Sequence, residues 1–340
     1  MAARTDPCDE LTAAWRALGN SGDDDGWRLI PVAPDGPCRF LAGRRFPGNE
    51  ESLLIGFATA QLPAAITLPQ GRGFKVDKVS LAGREANHAW IALSRKESRS
   101  IELFTMMATD VITTMMRHTL SGDVRAFNLF LTRIRAWQDF MQRNPNDVLS
   151  AEAEVGLFGE LHLLQSLTLN GLPPHDAVEG WHGPLDGLHD FLFGTGGVEV
   201  KSTIASGSFP AQIGSLEQLD DSLVQPLFLA GVRLELSPEG ETLTGRAAAI
   251  QALFADDPVV QSILDGKLLR AGLLPGTEEK YTRKFRHVGT RILQVAEGFP
   301  RLTGRSVPNE IRKVRYEIDL DLISAHTVNL RHAMKELGLI

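Results

Sequence analysis

The sequence has few cysteines, no long apolar run and no Gly-rich phosphate loop. Each of these absences argues against a class of protein. Cys8 and Cys38 are the two cysteines among 340 residues, too few for a disulfide framework or a structural zinc site. No apolar run approaches the ~20 residues of a transmembrane helix, and the N-terminus lacks a hydrophobic export signal. No Gly-rich phosphate loop of the Walker type occurs, which argues against an ATPase. We therefore expect a protein of the reducing cytoplasm with no membrane segment.

The chain also lacks an excess of positive charge. Its 42 acidic residues outnumber its 35 lysines and arginines, which gives a net charge of −7 and a pI near 5.8. The molecule as a whole is therefore no generic polyanion binder, and any surface for nucleic acid must be a local patch. A hydrophobic content of 43% is ordinary for a globular protein, and 340 residues suffice for two or three domains.

The first part of the chain predicts a β-rich region followed by a helical hairpin. Short runs of β-formers between Trp27 and Leu93, punctuated by glycine and proline, are typical of antiparallel strands. The apolar spacing then changes, and 98–120 and 124–143 predict two amphipathic helices joined by a tight turn. Residues 144–147, Asn-Pro-Asn-Asp, are the best candidate for a domain boundary.

The stretch from His189 to Thr203 predicts a β-hairpin around a Gly-rich turn. Side chains alternate across a strand, so Glu199 and Lys201 share one face while the valines beside them share the other. Asp190, on the neighbouring strand, can reach the side of Glu199 and Lys201. Two carboxylates and a lysine converging on one place suit a hard divalent cation and a water molecule.

Upstream, residues 151–170 predict one helix, with Ser150 as its N-cap and Asn170-Gly171 as its end. Glu160 lies in the middle of this apolar helix. A carboxylate there costs free energy unless it is paired, bound to metal or exposed at the edge of the helix.

A helix bearing Glu, a strand bearing Asp and then Glu-x-Lys, in this order, resembles the core of PD-(D/E)XK nucleases over about Glu152 to Leu236. It is most similar to a bacterial family of PD-(D/E)XK-motif proteins from restriction and phage-defence loci. The resemblance implies an α+β or α/β fold with a restriction-endonuclease-like αβββαβ core, a mixed sheet flanked by helices. Within it we expect strands at 177–181, 210–213 and 227–236 and a short helix from Ser215. His189 replaces the proline that precedes the aspartate in the family motif.

The resemblance also implies the roles of the residues. Asp190, Glu199 and the carbonyl of Val200 would hold Mg²⁺, which Mn²⁺ can replace, and Glu160 would hold a second metal or fix a metal-bound water. Lys201 would orient the attacking water and stabilise the developing negative charge.

Two further residues near the hairpin have alternative roles. Gln218 resembles a recurrent glutamine of such cores that orients the lysine or contacts DNA. The alternative is that Gln218 is an exposed helix residue without a role in the site. His189 would touch the substrate or simply pack.

The C-terminal third carries a contrast of charge. Between Lys267 and Arg315 there are twelve basic and four acidic residues, a local charge of +8 within a chain of −7. A basic patch in an acidic protein suggests phosphate contact, and the candidates for it are Lys280, Arg283, Lys284 and Arg286. The alternatives are a solvated face or a docking surface for the acidic N-terminal region.

Together these features predict four regions and a Mg²⁺-dependent DNA endonuclease of restriction or phage defence. The regions are a β-rich domain (1–97), a helical hairpin (98–146), the nuclease core (147–240) and an α+β extension with the basic segment (241–340). Beside DNA, the expected partners are a second copy of the chain and, by resemblance, a DNA methyltransferase and a helicase-like ATPase.

Two alternatives stay open at this point. The first is a catalytically inactive PD-(D/E)XK fold that serves as a DNA-binding or scaffold subunit. The second is a metal site of another hydrolase, built from a cluster of histidines and aspartates. Its candidate ligands are His175, Asp176, His182, Asp186, His189 and Asp190.

Overall fold

The structure is a computed structural model, and it describes residues 6–19, 25–33, 38–57, 68–81, 88–96, 100–117, 123–143, 148–185, 187–308 and 310–340. The chain divides into two compact units, Met1–Pro145 and Asn146–Ile340. The first unit contains both the predicted β-rich region and the predicted helices, and the second contains the predicted core together with the C-terminal extension. Within the ranges given above, no helix is both long and apolar enough to cross a membrane.

The first unit is an antiparallel sheet with three helices, as the sequence predicts for its strands and long helices. Its strands follow the order β1-β2-β3-β5-β4. A buried ion pair joins the two long helices: Arg133 Nε lies 2.5 Å from Asp110 Oδ2. The predicted turn at 121–122 lies outside the described residues. The elements are α1 (Pro7–Gly19), β1 (Gly26–Val32), β2 (Arg39–Phe46), β3 (Glu50–Phe57), β4 (Phe74–Val79), β5 (Ala89–Arg95), α2 (Ile101–Arg117) and α3 (Asp123–Arg143).

The second unit is built on a mixed five-stranded sheet, in the order β12-β10-β9-β7-β6. Strands β7 and β9 are parallel, and the other neighbours in this sheet are antiparallel. A second, two-stranded sheet pairs β8 with β11. The elements are α4 (Ala151–Leu169), α5 (Pro174–Gly180), β6 (Phe191–Phe193), β7 (Gly196–Thr203), β8 (Pro210–Ile213), β9 (Leu227–Glu241), α6 (Leu243–Leu253), α7 (Pro258–Arg270), β10 (Phe285–Val295), β11 (Tyr316–Asp319), β12 (Thr327–Val328) and α8 (Leu330–Glu336).

Helix α4 begins and ends where the sequence predicts. Ser150 Oγ accepts a hydrogen bond from the N–H of Ala153 at 3.2 Å, and Gly171 has a φ of +108° just after the helix, which glycine adopts without strain. In the middle of α4, a Cβ on Gly159 would overlap Ser202 Oγ of β7. The missing side chain therefore lets α4 lie directly against β7, and it brings the next residue, Glu160, close to that strand.

The two faces of the mixed sheet bury different layers. On one face, Val198 and Val200 of β7 join a core with apolar residues of α4, α6, α7 and α8. On the other face, Leu227 and Leu229 of β9 pack against the β8–β11 pair. Because Glu199 alternates with the valines, its side chain points into this second layer. The valines thus pack as the sequence indicates, and the acid lies beneath the small sheet.

Two elements of the predicted core are wrong. Residues 177–181 are not a strand: Pro174–Gly180 forms α5, and a single bridge joins Trp181 to Phe191. Pro174 starts this helix, a position that suits proline because its missing N–H has no helical partner there. The segment from Ser215 to Leu219 forms bends and turns rather than a helix. The protein is therefore a mixed α+β protein with the predicted hairpin, β8 and β9, whereas the αβββαβ order predicted for the core does not appear element by element.

Candidate active site

The hairpin of β6 and β7 holds two carboxylates and a lysine close together. Asp190 immediately precedes β6, and its Oδ2 accepts a hydrogen bond from the backbone N–H of Val200 at 2.7 Å. Glu199 and Lys201 project from the same face of β7, and Lys201 Nζ lies 2.7 Å from Glu199 Oε1. The alternation predicted along this strand therefore gathers the side chains that the sequence singles out.

Glu160 reaches the same place from α4. The indole Nε1 of Trp181 donates a hydrogen bond to Glu160 Oε2 at 2.8 Å. A Cβ on Gly183 would overlap that oxygen and would lie 3.1 Å from Oδ1 of Asp190. Gly183 thus leaves open the small space on which the two carboxylates converge.

Burial raises the pKa values of all three carboxyl groups. The pKa of Glu160 lies well above its ordinary value, first because of burial and then because of the nearby charge of Asp190. Burial and Asp190 also raise the pKa of Glu199 to about 8, although Lys201 opposes this shift. Burial raises the pKa of Asp190 as well, against the N–H of Val200 and the charge of Lys201. Three buried acids therefore share one lysine, and a bound divalent cation would neutralise this surplus of negative charge.

The donor set fits such a cation. Carboxylate and carbonyl oxygens are the ligands that Mg²⁺ prefers. The N–H of Val200 points to Asp190, and the N–H and C=O of one strand residue point to the same side, so we expect the Val200 carbonyl to face Asp190 too. Among the described residues, no group of three His, Cys, Asp or Glu side chains already has the spacing of a metal site. Glu199 Oε1 contacts both Lys201 and Gln218, so these contacts must rearrange when an ion binds.

Residues 214–221, between β8 and β9, form the Gln218 segment, which lies against the hairpin. Gln218 Nε2 donates a hydrogen bond to Glu199 Oε1 at 3.0 Å, and Gln218 Oε1 accepts one from the N–H of Gly214 at 2.7 Å. His189 is 1% exposed, and its Nε2 lies 3.0 Å from the carbonyl oxygen of Gln218. The structure therefore places Gln218 at the carboxylate, and it places His189 behind the segment as a buried support.

Of the four cations predicted to contact DNA, Lys284 and Arg286 lie beside the part of β9 that extends past the hairpin. Arg283 forms an ion pair with Glu154 of α4 at 2.5 Å. Arg286 pairs with a glutamate of β9. Lys284 Nζ lies 3.3 Å from a backbone carbonyl oxygen near the end of β9, and Lys280 is exposed in a short 3₁₀ helix. Two of the four thus already have acidic partners within the protein.

Lys267 and Trp181, which the sequence analysis did not single out as site residues, support the site from behind. Lys267 is 6% exposed, and its Nζ donates hydrogen bonds to the carbonyls of Val178, Glu179 and Trp181 at 2.7, 3.0 and 2.6 Å. Carbonyls at the end of a helix lack helical partners, and a cation suits them. Burial lowers the pKa of Lys267 to about 8. Since Trp181 binds Glu160, the lysine holds the peptide that positions this acid. In the sequence analysis Lys267 is one of the twelve basic residues of the C-terminal third. No pattern in the neighbouring residues predicts that it is buried.

The alternative site of histidines and aspartates does not form within the described residues. The His175 side chain is 56% exposed, and its Nδ1 lies 3.5 Å from Asp176. His189 is buried and faces a carbonyl oxygen. Asp186 lies outside the described residues. These groups therefore do not converge as the hairpin residues do.

Comparison with known proteins identifies a family. The family DUF4420, described as "Putative PD-(D/E)XK family member", matches residues 11–321. The match covers most of both units, and it confirms the resemblance to PD-(D/E)XK proteins drawn from the helix and the hairpin. No curated protein and no solved structure matches the chain.

Proposed function

The chain belongs to the PD-(D/E)XK-like family DUF4420, and on this premise we propose that it is a Mg²⁺-dependent endonuclease that hydrolyses phosphodiester bonds of DNA. Mn²⁺ is expected to replace Mg²⁺. The observation that carries this proposal is the convergence of Glu160, Asp190 and Glu199 on one buried place beside Lys201. Buried acids with raised pKa values and a specific charge partner are typical of functional sites.

Each residue of the site has a distinct task in this mechanism. Asp190, Glu199 and the Val200 carbonyl would bind the metal, and Glu160 would bind a second ion or a metal-bound water. A metal held there would supply Lewis-acid activation of a phosphoryl oxygen and of the attacking water. Lys201 places its ammonium where negative charge develops on the phosphoryl oxygens. As the water oxygen bonds to phosphorus, the bond from phosphorus to the leaving sugar oxygen breaks.

A cleavage assay on supercoiled plasmid with Mg²⁺ or Mn²⁺ tests the proposal. We expect wild type to nick or linearise the plasmid, and Lys201→Ala and Glu199→Gln to lose this activity while they still bind DNA. Lys335→Ala, which removes an exposed lysine of α8, is the matched control and should cut like wild type. DNA binding by wild type without metal-dependent cutting of modified or unmodified plasmid would instead favour the inactive scaffold.

We further propose a role in restriction or phage defence, supported only by the resemblance to proteins of such loci. One active site per chain favours a homodimer for double-strand cutting, and light scattering would refute this if the protein is a monomer both alone and on DNA. A methyltransferase and a helicase-like ATPase are the proposed partners. Comparing cleavage of methylated and unmethylated plasmid, with and without these proteins, tests that assignment.

A further inference from the structure

An exposed loop of the second unit carries cations that no acid of the described chain neutralises. Residues 296–308 and 310–315, here the basic loop, lie between β10 and β11. Arg305, Arg312, Lys313 and Arg315 of this loop are all exposed. Arg312, Lys313 and Arg315 have no hydrogen bond or ion pair with another residue of the described ranges. Glu310 is the one acid among residues 302–315, so the loop has a strong local positive charge.

Several other cations of the C-terminal third have tasks inside the protein. Lys267 is buried against three carbonyls. Arg283 and Arg286 have glutamate partners. Arg291 donates to two backbone carbonyls and to Thr327. The basic loop, in contrast, offers an external polyanion three exposed cations that are close in sequence and have no hydrogen-bond or ion-pair partner within the described ranges.

The basic loop is anchored at both ends to the Gln218 segment and the strand that leads into it. At one end, Arg301 donates hydrogen bonds to the carbonyl of Leu219 and to Asp221, both at 2.8 Å. At the other end, Tyr316 of β11 pairs with Ile213 of β8. Because Gln218 in turn contacts Glu199, the two ends of the basic loop are tied to the elements that border the candidate site.

Two hydrogen bonds fix the part of the basic loop around residues 302–306. The Tyr316 hydroxyl accepts a hydrogen bond from the N–H of Leu302 at 3.0 Å. Ser306 Oγ accepts one from the N–H of Thr303 at 2.8 Å.

We propose that the basic loop binds the phosphate backbone of duplex DNA next to the active site, with Arg312, Lys313 and Arg315 as its main contacts. Duplex DNA carries one negative charge per ~1.7 Å of its axis, and neutralising those phosphates releases counterions. Three close cations match this dense line of charge, although the chain as a whole is acidic. Arg305 also faces Asp220, whose pKa its charge helps to lower, so its own contribution to binding is smaller. The inference rests on the proposed nuclease function, and it identifies the surface that would hold the DNA substrate.

The test compares two double variants that each remove one arginine and one lysine from exposed positions. Arg312→Gln/Lys313→Gln changes the basic loop. Arg331→Gln/Lys335→Gln changes α8, which packs on the opposite face of the sheet. Binding of a fluorescent DNA duplex without divalent metal is measured from 0.05 to 0.3 M salt, together with plasmid cleavage in Mg²⁺. Thermal unfolding checks that both variants fold.

We expect the loop variant to bind about 60-fold more weakly near 0.1 M salt, with a salt slope reduced by about two, while the α8 variant matches wild type. Cleavage by the loop variant should recover at low salt or at high DNA concentration, unlike that of a variant in the chemical site. If wild type binds and cuts DNA and the two double variants behave alike, the loop assignment fails while the proposed function stands. If wild type does not bind duplex DNA even at low salt, both fail.

Discussion

Replacing Glu199 with glutamine should change how the stability of the metal-free protein depends on pH. Burial and the neighbouring Asp190 raise the pKa of Glu199 to about 8 from its ordinary 4.5. Between these values the folded protein keeps a proton that the unfolded chain releases, so the free energy of unfolding falls as pH rises from about 4.5 to 8. A shift of this size corresponds to about 5 kcal/mol. Glutamine cannot titrate, so this loss should vanish in Glu199→Gln.

The assay is denaturant unfolding of wild type and Glu199→Gln in EDTA at pH 5, 6.5 and 8. Unfolding of the second unit is followed by amide exchange in β7, because the two units need not unfold together. Glu160 and Asp190 also have raised pKa values, so the profile of the variant should be flatter but not level. Glu217→Gln, at an exposed glutamate of the Gln218 segment, should keep the profile of wild type.

Mg²⁺ should offset about half of this loss in wild type at pH 8. A ligand at 100 times its dissociation constant stabilises the folded state by about 2.7 kcal/mol, and Glu199→Gln should gain clearly less. Parallel pH profiles of wild type and variant in EDTA would refute the reasoning, since Glu199 would then titrate in the folded protein as it does in the unfolded chain.

Three further predictions concern the groups behind the site. Gly159→Ala forces α4 away from Ser202 and should destabilise the protein by about 1–3 kcal/mol in denaturant unfolding; Gly156→Ala, where a Cβ meets open space, should be neutral or slightly stabilising. Lys267→Met leaves three carbonyls without their cation and should destabilise by about 3 kcal/mol; unchanged unfolding would contradict this. Trp181→Phe removes the indole donor to the helix carboxylate and should weaken Mg²⁺ binding several-fold in isothermal titration, whereas unchanged affinity would place that acid outside the metal site.

Features set by neighbours in the chain could be predicted from the sequence. The positions of Glu199 and Lys201 follow from alternation along one strand, and the ends of α4 follow from Ser150 and Gly171. Segment 177–181 was misjudged because Val178 and Trp181 favour strands, whereas Pro174 and packing against α4 and α7 favour the helix. In this segment, packing against the rest of the protein outweighs the preference of single residues for strands.

Partners far apart in the chain could not be predicted. Arg283 and Glu154 are separated by 129 positions, and nothing near either residue marks the pair. Lys267 resembles its basic neighbours in sequence, yet α7 buries it against the end of α5. Counting charges along the sequence therefore overestimates the positive charge available to DNA, because Lys267, Arg283 and Arg286 already have partners within the protein.

The pairing of β8 with β11 has a consequence for the order in which the protein is made. Pro210 pairs with Asp319 and Ile213 with Tyr316, so the layer over the face of Glu199 needs residues made about a hundred positions later. A ribosome that has just released β7 therefore holds a hairpin whose acids still face water and whose β7 edge awaits β9. The layer that covers this face becomes complete only when β11 emerges, and a nascent chain stopped before that point would leave the candidate site without this cover.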